Sequence, residues 1–309
     1  MIDCRKPSGL EALLHRPRPS VLQLFLQNPC TFLSSRLYSR RRLAIADTPR
    51  DDLVSVVCIS DTHNTQCSIP QGDILIHAGD LTQSGTPAEL QATITWLRQQ
   101  PHPIKIVIAG NHDLILDVDK DEQSGNTPAI REQIDWGDIL YLQDASATIT
   151  CPNGRRLNVF GSPRSRRNGN WAFQYPREAD VWKGLVPGNT DILITHGPPR
   201  AHLDLTLDLT PLGCNYLLRE LWRVHPSLHV FGHVHEGYGH EWAHFDELQY
   251  AYERAILDGG GVWNLFCVLG AVIRTLFSLT PTLACQLVNA SIVGGLRDDV
   301  RRRPIKIYI

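Results

Sequence analysis

The sequence predicts an α/β fold, and three observations carry that prediction. Short β-branched apolar runs, of the kind that fill a buried sheet, recur along the chain. Stretches of helical periodicity separate them. Polar, metal-competent residues follow the runs directly, where open α/β sheets place their sites.

Taken in order, Leu53 to Ser60 reads as a central strand that runs into Asp61-Thr62-His63-Asn64. Asp73 to Ala78 is a second strand ending in Gly79-Asp80. Pro87 to Gln100 reads as a helix with proline at its start, where the missing N–H costs nothing. Ile104 to Ala109 is a third strand, ending in Gly110-Asn111-His112-Asp113. Ala147–Cys151 and Arg155–Phe160 alternate around Pro152-Asn153-Gly154, a hairpin signal, and an Arg/Asn/Gly-rich loop follows from Gly161 to Trp171. Asp191 to Thr195 is a strand entering His196-Gly197-Pro198-Pro199. Cys214 to Val224 is a helix, and Leu228 to Phe231 a strand leading into Gly232-His233-Val234-His235. Gln286–Val293 and Pro304–Tyr308 are the last strands.

Composition sets limits. The chain has 309 residues, 42% hydrophobic and 20% charged, which excludes wholesale disorder. At that length it buries a core without disulfides. Its net charge of −2 argues against a general nucleic-acid binder, and no duplex binding is expected. Residues 1–50 nevertheless carry +6 and the remainder −8, so a basic arm precedes an acidic body that begins near residue 51. Eight scattered cysteines without a C-x-x-C pair read as reduced thiols of an intracellular protein, cytoplasmic or peripheral to a membrane. The Arg-rich arm also admits a mitochondrial presequence, but Pro29 interrupts its best amphipathic stretch.

The post-strand residues combine carboxylate, amide oxygen and imidazole, a donor set suited to manganese, iron or zinc rather than to a thiolate zinc site. Asp80 is short and has two oxygens, so it can bridge two ions. Two ions about 3.5–4 Å apart clamp a phosphoryl group and acidify a shared water.

This ordered set of five blocks resembles the calcineurin-like metallophosphoesterase superfamily, over about Val54 to Val293. Ser60–Asn64, Ile108–His112, Thr195–Pro199 and Val230–Gly239 are similar to the small metallophosphodiesterase-domain group related to class III cyclic-nucleotide phosphodiesterases, whose fungal members carry extra segments. The resemblance implies a four-layer α/β/β/α sandwich with one catalytic domain. It implies that Asp61, His63 and His235 bind a first divalent metal ion, that Asp80 bridges, and that Asn111, His196 and His233 complete a second. His112 is then a proton donor to the leaving oxygen rather than a ligand. The implied activity is in-line hydrolysis of a small phosphodiester or nucleotide phosphoester. The competing readings are a catalytically weak nucleotide-binding protein that keeps a structural metal site, and a membrane-surface adaptor.

Other features carry weaker signals. Arg164, Arg166, Arg167, Asn168 and Asn170, backed by Trp171 and Phe173, suit a phosphate and a base, or simply form a solvated loop. Asn64 and Tyr238 flank ligand positions and are candidates to touch substrate. His77, His102, His225, His229 and His240 read as packed or hydrogen-bonded side chains. Asp117, Asp119 and Asp121 imitate a calcium loop, but Glu122 and Pro128 break its pattern. Residues 21–38 carry apolar positions at helical spacing beside Arg40–Arg42, and an apolar insertion at about 251–285 contains a second such stretch from 261. Together they form a peripheral membrane contact, or else a cap on the body.

Overall fold

The computed structural model describes residues 19–41, 53–118, 134–206, 210–277, 283–295 and 299–309. Its helices are α1 (Val21–Gln27), α2 (Pro29–Ser39), α3 (Pro87–Arg98), α4 (Asn215–Val224), α5 (Glu247–Leu257) and α6 (Val262–Phe277). In the first sheet β1 (Ser55–Ile59), β2 (Ile74–Ala78), β3 (Ile104–Ile108) and β4 (Ile139–Tyr141) run parallel, and β15 (Ile305–Tyr308) lies antiparallel on β1. In the second, β6 (Arg156–Ser162), β9 (Ile192–Thr195), β10 (Leu228–Phe231) and β12 (Ala284–Asn289) are parallel. Antiparallel edge strands β5 (Ala145–Thr150) and β11 (Gly239–His244) close that sheet. The orders are β15-β1-β2-β3-β4 and β11-β12-β10-β9-β6-β5. Two short pairs complete the strands: β7 (Ser165–Arg166) with β8 (Gln174–Tyr175), and β13 (Val293–Gly294) with β14 (Val300–Arg301).

The alternation of apolar side chains explains the layers. Val56, Cys58, Ile76 and Ile106 of the first sheet meet Val159, Ile194, Val230 and Val288 of the second in one buried core. On the outer face of the first sheet, Val57, Leu75 and Val107 pack against Leu90, Ile94 and Leu97 of α3. On the outer face of the second, Leu193, Phe231 and Leu287 pack against Leu217, Leu218 and Leu221 of α4. Each fully buried side chain of this size stabilises the fold by roughly 1.5–3 kcal/mol. The result is the four-layer α/β/β/α sandwich.

Local chemistry sets the boundaries. Thr86 caps α3 and shares a reciprocal capping box with Glu89, one residue ahead of the proline start. Cys214 caps α4, and His225 ends it in a left-handed turn at φ 53°. The Pro152–Gly154 signal is the turn between β5 and β6.

Some elements differ from expectation. The strand read over Gln286–Val293 is β12 shifted to Ala284–Asn289, because the Asn289 side chain turns to the Leu203 and Val234 carbonyls at 3.1 and 2.8 Å. Strand β11, not foreseen, is a mixed polar-aromatic edge without a β-branched run. Residues 245–283 separate β11 from β12 and contain the 251–285 stretch up to its last two residues, and α5 starts at Glu247 under an Asp246 cap. The seven described cysteines are all free. Of the calcium-like stretch, Asp117 accepts from the Phe173 N–H at 2.7 Å, whereas Asp119, Asp121, Glu122 and Pro128 lie outside the described residues. So do residues 1–18 and 42–50 of the arm.

Within that arm, Pro29 divides the 21–38 stretch into two helices, with Asn28 capping the second. Helix α2 packs against α5 and α6. Tyr38 stacks on Tyr252 with ring centroids 4.1 Å apart, and Arg41 pairs with Asp246. Beneath this layer His202 is fully buried between two carboxylates, Nδ1 2.5 Å from Glu241 and Nε2 3.0 Å from Glu253. Burial alone pulls the imidazole pKa down, but the two carboxylates outweigh it and push it up to about 10.

Candidate metal centre

The blocks Asp61–Asn64, Gly79–Asp80, Gly110–Asp113, His196 and His233–His235 all follow parallel strands and converge at one end of the sandwich. Leaving the pleat there imposes unusual backbone. Asp61, His63, Asn64, Asp80 and His233 all hold positive φ, between 43° and 67°. Such strain in residues with side chains clusters at functional sites. Two glycines permit the close approach: a Cβ on Gly110 would meet Asp80 Oδ1 at 2.3 Å, and one on Gly232 would meet Asp61 Oδ2 at 2.0 Å.

Three ligand-competent groups result. Asp61, His63 and His235 form one, Asp80, His196 and His233 another, and His63, Asp80 and His112 a third, with the ligand atoms of each within 4.8 Å of one another. Asn111 Oδ1 lies 2.9 Å from His196 Nε2 and joins the second group. All seven residues expected to hold metal are therefore gathered, and Asp80 stands between the sets.

The hydrogen bonding fits cations. Neither ring nitrogen of buried His63 has a hydrogen-bond partner among the described residues. His196 Nδ1 is 3.0 Å from the Ala78 carbonyl, which only accepts, so the ring proton sits there. Nε2 then faces Asn111 Oδ1 and, at 3.4 Å, Asp80 Oδ2, all acceptors. An acceptor among acceptors needs a cation, and without metal a second proton takes the role. Burial lowers the His196 pKa, but the Asp80 charge outweighs it and lifts the value to about 9. His233 is pulled down to about 4 by burial and is neutral at physiological pH, the state a metal ligand requires. Asp61 is buried, which raises its pKa, yet His235 and its neighbours hold it well below the carboxylate range.

A surrounding layer fixes these groups. Asp61 accepts from the His233 N–H at 3.0 Å and from the Ser291 hydroxyl at 2.9 Å. Asp113 accepts from the N–H groups of Gly110, Leu81 and Thr82 and from the Thr82 hydroxyl, which pins the turn carrying Asn111 and His112. Neither Ser291 nor Asp113 was assigned a role from sequence. Ser291 follows β12 just as the ligand blocks follow their strands, and that position is the signal that could have found it. His77 and His229 sit in the strands below, bonded to Thr62 and Thr195 hydroxyls at 2.9 and 2.8 Å, as expected of core histidines. His102 likewise bonds the Pro70 carbonyl at 3.0 Å.

His112 is at the rim. Its Nδ1 donates to the Gln83 carbonyl at 2.8 Å, leaving Nε2 for chemistry. Trp171 stacks on the imidazole, centroids 4.2 Å apart and planes 25° from parallel. The loop bearing Trp171 is tied to the site by the Ala172 N–H, which donates to the Asn111 carbonyl at 3.0 Å.

The side chains of four other residues considered for substrate contact have partners within the protein. Arg164 pairs with Asp144 at 3.0 Å, and Arg166 donates to the Leu212 and Gly213 carbonyls. Asn64 donates to Glu89 at 2.7 Å, and the Tyr238 hydroxyl to the Arg303 carbonyl at 2.8 Å.

A calcineurin-like phosphoesterase profile matches residues 50–237, more than half of the chain. The chain belongs to the calcineurin-like phosphoesterase family. Named relatives include human "Metallophosphoesterase domain-containing protein 1", 39% identical over 209 residues, 59% of this chain and 61% of that protein. The Caenorhabditis elegans "UPF0046 protein K07C11.7" is 38% identical over 201 residues, 60% of this chain and 65% of its own. An Emericella nidulans protein named "Probable rhamnogalacturonate lyase C" is 46% identical over 307 residues, 97% of this chain but 29% of that protein. The chain thus spans less than two thirds of each relative, and the lyase name belongs to a much longer protein.

Proposed function

We propose that this chain is a metal-dependent phosphoesterase, a hydrolase that uses two divalent cations on a small phosphodiester or nucleotide phosphoester. The observation that carries the proposal is Asp80, whose Oδ2 lies 3.7 Å from His63 Nε2 and 3.4 Å from His196 Nε2, between the two donor sets. Asp61, His63 and His235 with Asp80 would hold one ion, and Asn111, His196 and His233 with Asp80 the other. Manganese, iron and zinc all suit these donors, and such ions neutralise phosphoryl charge and acidify water.

The rest of the chemistry belongs to the chain. His112 Nε2, when protonated, gives its proton to the departing oxygen, while the Nδ1 bond to Gln83 fixes the ring's rotation. Trp171 holds the imidazole plane by stacking on it. A proton donor at this place supports an ester whose leaving group is a poorly acidic alcohol, such as a sugar hydroxyl in a diester or nucleotide.

The test is a panel run with the manganese-loaded full chain: a chromogenic diester, cyclic nucleotides, nucleoside monophosphates and a phosphopeptide. Turnover of diesters or nucleotides, lost on chelation and restored by manganese, is the expected result. Hydrolysis of the phosphopeptide alone would overturn the substrate assignment.

A further inference from the structure

Most of the large apolar side chains exposed among the described residues lie on α1 and α6. On α6, Val262, Trp263, Phe266, Ile273, Leu276 and Phe277 face solvent, Trp263 at 77% and Phe277 at 83% exposure. Val268 and Ala271 are its buried residues. Helix α1 buries none, and its Val21, Leu22 and Leu26 are exposed. Helix α2 links them. Asn28, which joins α1 to α2, donates from Nδ2 to the Gly259 carbonyl at 2.8 Å just ahead of α6, and α2 packs along α6. Exposed apolar surface on this scale marks a contact with something other than water.

Charge decides what that partner is. Residues 21–39 and α6 contain no Asp or Glu, and their ionic side chains are Arg36 and Arg274, both exposed, with exposed Arg40 adjoining. Arg274 meets Glu247 at the solvent surface, a pairing that water and salt weaken. The first 50 residues as a whole carry +6. Helices that carry arginines and no carboxylate of their own, with Glu247 and Asp258 contributed only by the neighbouring α5 segment, suit an anionic partner, whereas a second copy would set arginine against arginine. The 16 residues of α6 make a rod about 24 Å long, with Trp263 at one end and Phe277 at the other. That amphipathic geometry suits a helix lying in a lipid interface. Among the described residues no helix is long and apolar enough to cross a membrane.

We infer that α1 and α6, with Arg36, Arg40 and Arg274, form a docking surface that rests in the headgroup region of an anionic bilayer. Attachment is peripheral: aromatic and aliphatic side chains enter the interface while the arginines meet lipid phosphates. The metal centre plays no part, so the inference stands apart from the substrate assignment.

Flotation of the full chain with phosphatidylcholine vesicles, with and without phosphatidylserine, tests it. The chain should float with the serine-containing vesicles and separate from them as salt rises from about 0.1 M to about 1 M, which shortens screening from ~10 Å to ~3 Å. The triple variant Trp263→Ser, Phe266→Ser, Phe277→Ser should bind at least roughly tenfold more weakly, since three apolar side chains no longer leave water. It should keep wild-type hydrolysis of a soluble diester and an unchanged circular dichroism spectrum, which separates lost docking from lost folding. Three results would overturn the inference: no flotation at low salt, equal binding to neutral and anionic vesicles, or unchanged binding by the triple variant. A concentration-dependent dimer that the triple variant abolishes, with no vesicle binding, would assign the face to a second copy instead.

Discussion

Two clusters in this molecule are made of the same chemical groups, imidazole and carboxylate, and do opposite things. At the strand ends, histidines and aspartates surround buried nitrogens that have no hydrogen-bond partner, as at His63. Under the helical layer, His202 spends both ring nitrogens on Glu241 and Glu253, while Glu253 also accepts from the Trp222 indole at 2.7 Å and the Gln249 amide at 2.8 Å. The first cluster is unfinished without cations. The second is a closed charge network that ties β11 and α5 to the loop after Pro199. Composition therefore does not distinguish a metal centre from a structural ion cluster; satisfaction of each polar atom does.

The sharpest way to break this comparison is to remove Asp80. In the Asp80→Ala variant hydrolysis should fall to background, because neither donor set keeps its shared anion, and a steady-state assay with saturating manganese reads the loss. Next in size is His112→Ala, expected to lower turnover by about 10²–10⁴, or roughly 3–5 kcal/mol of transition-state stabilisation, while the metals stay bound. The loss should shrink for substrates with acidic leaving groups, and a leaving-group series compares the two cases.

The second cluster should respond in stability rather than rate. His202→Gln removes the cation shared by two carboxylates and should cost about 3–5 kcal/mol, toward the lower end because Glu241 is partly open to water. Chemical denaturation measures this. The network also sets a pH dependence. His202 is raised to about 10 in the folded protein, against roughly 6.5 for a free imidazole, so the native state binds the extra proton. Its contribution is complete below about pH 6.5 and is lost as pH climbs toward about 10. Unfolding free energy should therefore decline across that window, and the decline should be shallower in His202→Gln. Smallest is Trp171→Ala, expected to lower turnover by roughly tenfold with little change in KM, since Trp171 orients His112. A KM increase with unchanged turnover would mean that the indole meets substrate instead.

The strands and the metal blocks were legible because each signal is local. A β-branched run followed by Asp-x-His or Gly-Asn-His shows both the strand and the turn that aims its side chains. The sandwich itself came from family resemblance, and the packing of α3 and α4 on opposite outer faces bears it out. Contacts made across long sequence separations were not legible. Nothing near His202 announces Glu241 or Glu253, which lie 39 and 51 residues away. Arg164 and Tyr238 are substrate candidates by sequence, and their partners, Asp144 and the Arg303 carbonyl, are set by tertiary structure. Trp171 was placed near the site, but its stacking on His112 depends on how a loop folds back.

Elemental analysis of the wild type, Asp80→Ala and His202→Gln, purified side by side after manganese loading, tests the central contrast most directly. Two ions per chain are predicted in the wild type and in His202→Gln, with the Asp80→Ala chain depleted. Two ions retained without Asp80, or ions lost from the folded His202→Gln chain, would contradict the account.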